Sequence, residues 1–200
     1  MAKPEYASST RYWDCCKPSY AWYGYTSHPV RSCLSDGWTT ADPTMTSVCA
    51  GGDAYMCTDQ QPFADGSNPN LAYGFAAANH PACSCFQLWF VDGPAYGKSM
   101  IVQVTNGGSD IQGNNFDIAI PGGGVGQHNG CSKQWGAPGD GWGRRWGGVS
   151  YAGECDQLPR SLQSGCRWRF QDWMNGADNP NVNYERVSCP QQLTSISQCW

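Results

Sequence analysis

Charge is scarce in this sequence. Asp, Glu, Lys and Arg supply 14% of its 200 residues, against roughly 25% in an ordinary soluble protein. The net charge is −4, and no cluster of Lys or Arg extends beyond Arg144–Arg145. A phosphate backbone would find no positive field to hold it, which argues against nucleic acid as a partner. No run of about 18 apolar residues is present, so no helix is expected to enter a membrane. A charged start followed by a short apolar stretch is also missing, so the sequence reads as a mature form behind an added Met1. Metal-ligand spacing is absent too. The close cysteine pairs are Cys15–Cys16 and Cys83-Ser84-Cys85, and His28, His80 and His128 are scattered, so neither a metal nor a cofactor is expected. The glycine run "PGGGVG" at 121–126 lacks the Lys-Ser/Thr of a phosphate loop and the spacing of a dinucleotide fold. No repeat or linker divides the chain. It reads as one domain over 1–200, with 1–8 as a mobile extension.

What the sequence does have is Gly (25), Pro (13), Trp (10), Tyr (10) and an even set of 12 cysteines spread from end to end. Such a set points to a disulfide framework made in an oxidising compartment, and hence to secretion. Short segments rich in β-branched or aromatic residues, each bounded by turn formers, predict strands at 87–93, 99–108 and 116–124. Helix signals are weaker: "ECDQLPRSLQS" at 154–164, which contains a proline, and the Ala-rich "NLAYGFAAAN" at 70–79. The fold class is therefore all-β with accessory short helices. A closed barrel would leave such short strands without exposed edges, and disulfides would clamp the long loops between them.

Among the 16 acidic residues, two stand out by their surroundings. Asp14 precedes a double cysteine and follows Tyr12-Trp13; Asp117 interrupts the apolar run Phe116–Ile120. Asp117 is either a general acid kept protonated among apolar neighbours or an outward residue on an alternating strand, and periodicity leaves both open. Asp14 is either a catalytic carboxylate or an acceptor of backbone N–H groups in a turn. Glycoside hydrolysis calls for two carboxylates on opposite sides of the scissile bond. Indole and phenol rings offer the faces on which sugar rings stack; Tyr12, Trp13, Trp22 and Tyr23 surround the first acid, and a second group lies at Trp142–Trp146. The three glycines at 122–124 let another backbone, or a ligand, come close.

Two segments, "STRYWDCCKPS" near the start and "NNFDIAIPGGGVG" in the middle, closely resemble the signatures of glycoside hydrolase family 45 endoglucanases. "RWGG" at 145–148, "GCRWRF" at 165–170 and "DNP" at 178–180 extend the likeness over nearly the whole chain. The resemblance implies a six-stranded double-psi β-barrel with long disulfide-bonded loops. It also implies endo-acting, inverting hydrolysis of β-1,4 bonds in cellulose and related β-glucans by a monomer. Asp14 would be the general base, Asp117 the general acid and Asp110 an assisting residue on a loop. Thr10, Tyr12, Lys17, Trp22, Asn115, Trp146, Asp178 and Asn179 would line the glucan groove. Here Asn115 replaces a His and Trp146 a Tyr of relatives, and Tyr20 and Ala82 stand where many relatives have one further bridge. The remaining cysteines would pair as Cys15–Cys131, Cys16–Cys49, Cys33–Cys57, Cys83–Cys199, Cys85–Cys189 and Cys155–Cys166. The alternative from another class is a non-hydrolytic polysaccharide-binding protein of the expansin or barwin kind. The presence of Asp14 favours hydrolysis, since expansins lack the partner base.

Overall fold

The computed structural model describes residues 4–108 and 111–200. Seven strands form one sheet: β1 (Glu5–Tyr12), β2 (Phe63–Ala64), β3 (Leu71–Ala78), β4 (Cys85–Phe90), β5 (Ser99–Asn106), β6 (Asn115–Ala119) and β7 (Val182–Val187). Their order is β2-β3-β5-β4-β7-β1-β6, and a further pairing of β3 with β6 closes six of them into a barrel. β2 is a two-residue addition to the outside of β3. The β1–β6 and β3–β5 pairs are parallel, and the other pairs of the closed ring are antiparallel. Closure satisfies the backbone donors and acceptors that an open edge would leave exposed.

Alternation decides what fills the barrel. On β6, Phe116 and Ile118 are fully buried with Leu88, Met100, Val102 and Val182 from neighbouring strands, while Asn115 and Asp117 are only half-buried. The strands expected at 87–93, 99–108 and 116–124 are present as β4, β5 and β6, each within a few residues of those limits.

The helix expected at 70–79 is instead β3. Every residue from Ala72 to Ala78 is buried; parallel β5 runs along one side, and on the other antiparallel β2 meets Ala72–Tyr73 and antiparallel β6 meets Ala76–Ala78. Packing sets that outcome, because alanine's helical preference of a few tenths of a kcal/mol per residue is easily overridden by tertiary contacts. Small residues are needed here: a Cβ on Gly74 would lie 2.4 Å from the Met100 methyl carbon. The expected helix at 154–164 divides into a 3₁₀ turn (Ala152–Gln157) and α2 (Arg160–Arg167), with Pro159 at the N-cap between them. Proline has no N–H to give to a helix interior but fits its start. The other α-helices are α1 (Cys131–Trp135) and α3 (Gln191–Ser197).

Of the extension expected over 1–8, residues 5–8 belong to β1. Glu5–Ala7 pair with β7, and Ser8 begins the parallel register with β6, so the barrel's first strand starts at Glu5. The Tyr184 hydroxyl donates to Glu5 Oε2 at 2.9 Å, which ties the strand's start to β7.

All six disulfides take the pairing implied by the family resemblance. Tyr20 and Ala82, the two positions without the extra bridge, both pack against the small cluster of Ala21, Val30, Cys83 and Cys199. Apolar packing thus occupies the place of that bridge.

Candidate active site

A cleft of about 430 Å³ opens along the β1–β6 seam, and both Asp14 and Asp117 line it. Their placement follows from strand register. Thr10 is the partner of Asp117 across the parallel pair. Asp14 lies four residues beyond Thr10, and at period two Thr10, Tyr12 and Asp14 fall on one face. Asp14 itself lies two residues beyond the end of β1, so it stands past the level of Asp117 along the seam.

Asp117 takes the outward position on an alternating strand, and that outward face is not open solvent. The residue alternates away from Phe116, Ile118 and Ile120, which are core. The face it turns to is the floor of the cleft, where it is half-buried, and there Oδ1 accepts the Thr10 hydroxyl at 2.8 Å. Likewise Asp14 accepts the Cys16 backbone N–H at 2.9 Å on Oδ1, as a turn residue would, and still faces the cleft. The chain leaves β1 sharply at this point. Cys15 adopts a left-handed backbone (φ 62°), an unfavourable conformation for a residue with a Cβ. Bridges from Cys15 to Cys131 and from Cys16 to Cys49 fix that turn, and the Gly130 N–H bonds the Asp14 carbonyl at 2.8 Å.

Tyr12 lies between the two acids along the strand. Its phenol is buried, and its pKa is raised well above the ordinary range by burial first, then by the Asp14 charge, with Asp117 adding to it; the hydrogen bond from Asn106 works the other way. Asn106 Nδ2 donates to the phenol oxygen at 3.3 Å. The hydroxyl therefore stays protonated and able to donate. Opposite, Trp146 is 64% exposed and lines the cleft, its ring placed over Gly126. The glycines of 122–124 serve close approach: a Cβ on Gly123 would meet the Tyr12 backbone nitrogen at 2.9 Å, and one on Gly124 the Gly147 nitrogen at 2.8 Å.

The remaining expected groove residues divide by what their polar atoms touch. Lys17 lines the cleft, but its ammonium donates to the carbonyls of Pro43 (2.6 Å) and Met45 (2.8 Å) and sits 3.2 Å from the centre of the Trp22 ring. It holds Trp22 and the 43–45 loop together, and Trp22 itself is outside the cleft lining. Asn115 stands behind Thr10, to which it donates at 3.0 Å. Neither Asp178 nor Asn179 lines the cleft; both accept from Arg11, which does. Asp110 lies outside the described residues.

Arg11 is a contributor that the sequence reading passed over, although it sits inside the "TRYWD" segment. Its buried side chain donates to the Gly147 carbonyl at 3.0 Å as well as to Asp178, so it fastens two loops to β1. The Arg11 hydrogen bond holds the Asp178 carboxyl below the usual range, with the Arg11 and Arg169 charges adding to it and burial opposing. Asp178 therefore contributes stability that is present above the unfolded carboxylate value of about 3.9 and is lost as pH falls through its depressed folded value. Because Asp178 is largely exposed, the effect is small. Urea titrations of the wild type and Asp178→Asn should give stability curves that differ above pH 4 and converge below it. A constant difference down to pH 2 would remove Asp178 as the source.

Comparison with known proteins adds a second line of evidence. Residues 6–200 match the family described as Glycosyl hydrolase family 45. The sequence is 52% identical to an endoglucanase of Cryptopygus antarcticus, over 96% of this chain and 87% of that protein. It is 42% identical to an endoglucanase of Phaedon cochleariae, over 97% of this chain and 84% of that protein. Endoglucanase 1 of Mycosarcoma maydis is 44% identical over 96% of this chain, which spans only 52% of that protein's length. The crystal structure of a cellulase from the Antarctic springtail Cryptopygus antarcticus superposes with a TM-score of 0.92 at 51% identity, covering 99% of this chain and 98% of that one. A barrel with both signature carboxylates in one cleft and a family match from residue 6 to residue 200 lead to one conclusion: the chain belongs to glycosyl hydrolase family 45.

Proposed function

We propose that the cleft cuts internal β-1,4-glucosidic bonds of cellulose and related β-glucans by single displacement, as a secreted, monomeric, single catalytic domain. Asp117 gives its proton to the glycosidic oxygen while Asp14 takes one from the water that attacks the opposite face of the sugar. Family membership and relatives named endoglucanases support endo-acting hydrolysis of cellulose. The observation that supports the mechanism is the placement of the two acids: Asp117 opposite Thr10 on the β1–β6 pair, and Asp14 two residues past the end of β1, both lining one cleft. Single displacement requires about 6.5–9.5 Å between the carboxylates so that water fits, against about 5–5.5 Å for a retaining pair.

Trp146 supplies an exposed stacking face along the cleft, buried Tyr12 lines its floor, and Arg11 keeps one wall ordered through Gly147. Asp110 retains its proposed assisting role. NMR of the first products from cellohexaose tests the proposal. The expected outcome is α-configured new reducing ends that mutarotate with time, and β-configured ends would replace single displacement by a covalent intermediate.

A further inference from the structure

Behind the proposed acid, three hydrogen bonds run in one direction. The Ser8 hydroxyl donates to Asn115 Oδ1 at 2.9 Å, Asn115 Nδ2 donates to Thr10 Oγ1 at 3.0 Å, and Thr10 Oγ1 donates to Asp117 Oδ1 at 2.8 Å. The polarity is forced from the acid's end. Once Asp117 has lost its proton it can only accept, so Thr10 must spend its single hydrogen on Oδ1 and must itself receive one. Only the amide nitrogen of Asn115 can provide that, which turns the amide oxygen toward Ser8. The competing acceptor for Ser8, the Asn114 carbonyl, is farther away at 3.5 Å. The register of the parallel strands makes the chain possible, since Ser8 is opposite Asn115 and Thr10 opposite Asp117. Ser8 is exposed, so the chain runs from solvent to the half-buried acid.

We propose that Ser8 and Asn115 are positioning residues which, through Thr10, hold Asp117 Oδ1 as an acceptor and so confine the transferable hydrogen to Oδ2. This rests on the reading of Asp117 as the general acid. It moves Asn115 from glucan contact to control of the acid. Aligned hydrogen bonds polarise one another, so the loss of a distant member weakens the last one. The gain falls on the product side of proton transfer, where Oδ1 carries part of the new negative charge. The titratable and charged groups that line the cleft together with Asp117 are Arg11, Tyr12, Asp14, Lys17, His128 and Arg145.

The test is the pH dependence of kcat on a soluble cello-oligosaccharide. Asn115→Asp turns the chain around, because a carboxylate at 115 draws the Thr10 hydrogen away from Asp117. The expected result is a kcat about tenfold lower at pH 6 and a basic limb moved upward by ~1 pH unit, with KM within about twofold. Ser8→Ala should move the limb in the same direction by a smaller amount, and Ser8→Thr, which keeps the hydroxyl, should return it. A purely structural role would lower the melting temperature and kcat without moving the limb, and that result overturns the proposal. Asp117→Asn, measured beside these, separates the two readings. If it stays active, the acid assignment fails; if it is inactive while the limb is unmoved in both Asn115→Asp and Ser8→Ala, only the positioning chain fails.

Discussion

Asp117→Asn is expected to lower kcat by roughly 10²- to 10⁴-fold, the usual worth of a positioned proton donor. The substitution is nearly isosteric, and the amide oxygen can still accept the Thr10 hydroxyl that now reaches Oδ1. The cleft should therefore keep its shape. What changes is that an amide N–H has no proton to surrender to a leaving oxygen. Binding of cellotetraose, measured by calorimetry, should stay within a few-fold of wild type, because Tyr12 and Trp146 are untouched. Wild-type turnover by this variant would remove Asp117 from the mechanism. Loss of turnover together with loss of binding would point instead to a collapsed cleft.

The second large effect is on stability. Cys15 and Cys131 are joined across a sequence separation of 116, and opening a loop of that length returns about 4–5 kcal/mol of chain entropy to the unfolded state. The short link between Cys155 and Cys166, separated by 11 residues, should be worth about 3 kcal/mol by the same relation. Replacing Cys15 and Cys131 together with Ser is thus expected to cost more than replacing Cys155 and Cys166. For a domain of this size each kcal/mol moves the melting temperature by about 2–4 °C. The first double variant should melt roughly 10–15 °C lower, and it should lose activity more steeply with temperature than the second, because Cys15 also fixes the turn that aims Asp14. Equal melting temperatures for the two would show that strain in the left-handed turn at Cys15, rather than chain entropy, sets the value of that bridge.

How much of this was legible beforehand varies with the physical signal. Strands β4, β5 and β6 announce themselves because β-branched and aromatic residues alternate between turn formers. β3 does not, because it is buried by neighbours on both sides, needs small residues, and so presents an alanine-rich run indistinguishable from a helix. β1 was partly hidden for another reason. Its first residues, Glu5-Tyr6-Ala7-Ser8, carry only one core side chain, Ala7, and owe their place to main-chain pairing with β7.

Within the site, carboxylates and rings could be picked out as residue types, and the family resemblance assigned them roles. Their partners could not be read so easily. Lys17 has the look of a groove cation, but its ammonium is absorbed by the Pro43 and Met45 carbonyls and the Trp22 ring, all fixed by loop paths that spacing does not encode. Asp178 and Asn179 reach the cleft only through Arg11, a contact across 167 and 168 positions of sequence. The Ser8–Asn115–Thr10 chain depends on parallel register, which becomes visible only once β1 and β6 are aligned.

Thr10 is paired with Asp117 in the β1–β6 register, and only four residues of chain lead from it to Asp14, so the count of residues between positions 10 and 14 bears directly on where Asp14 stands. One added residue between positions 10 and 14 would lengthen that span by about 3.3 Å and turn Asp14 to the opposite side. Under the proposed roles, such an insertion would take Asp14 out of the reaction in a single step rather than through a graded series of spacings.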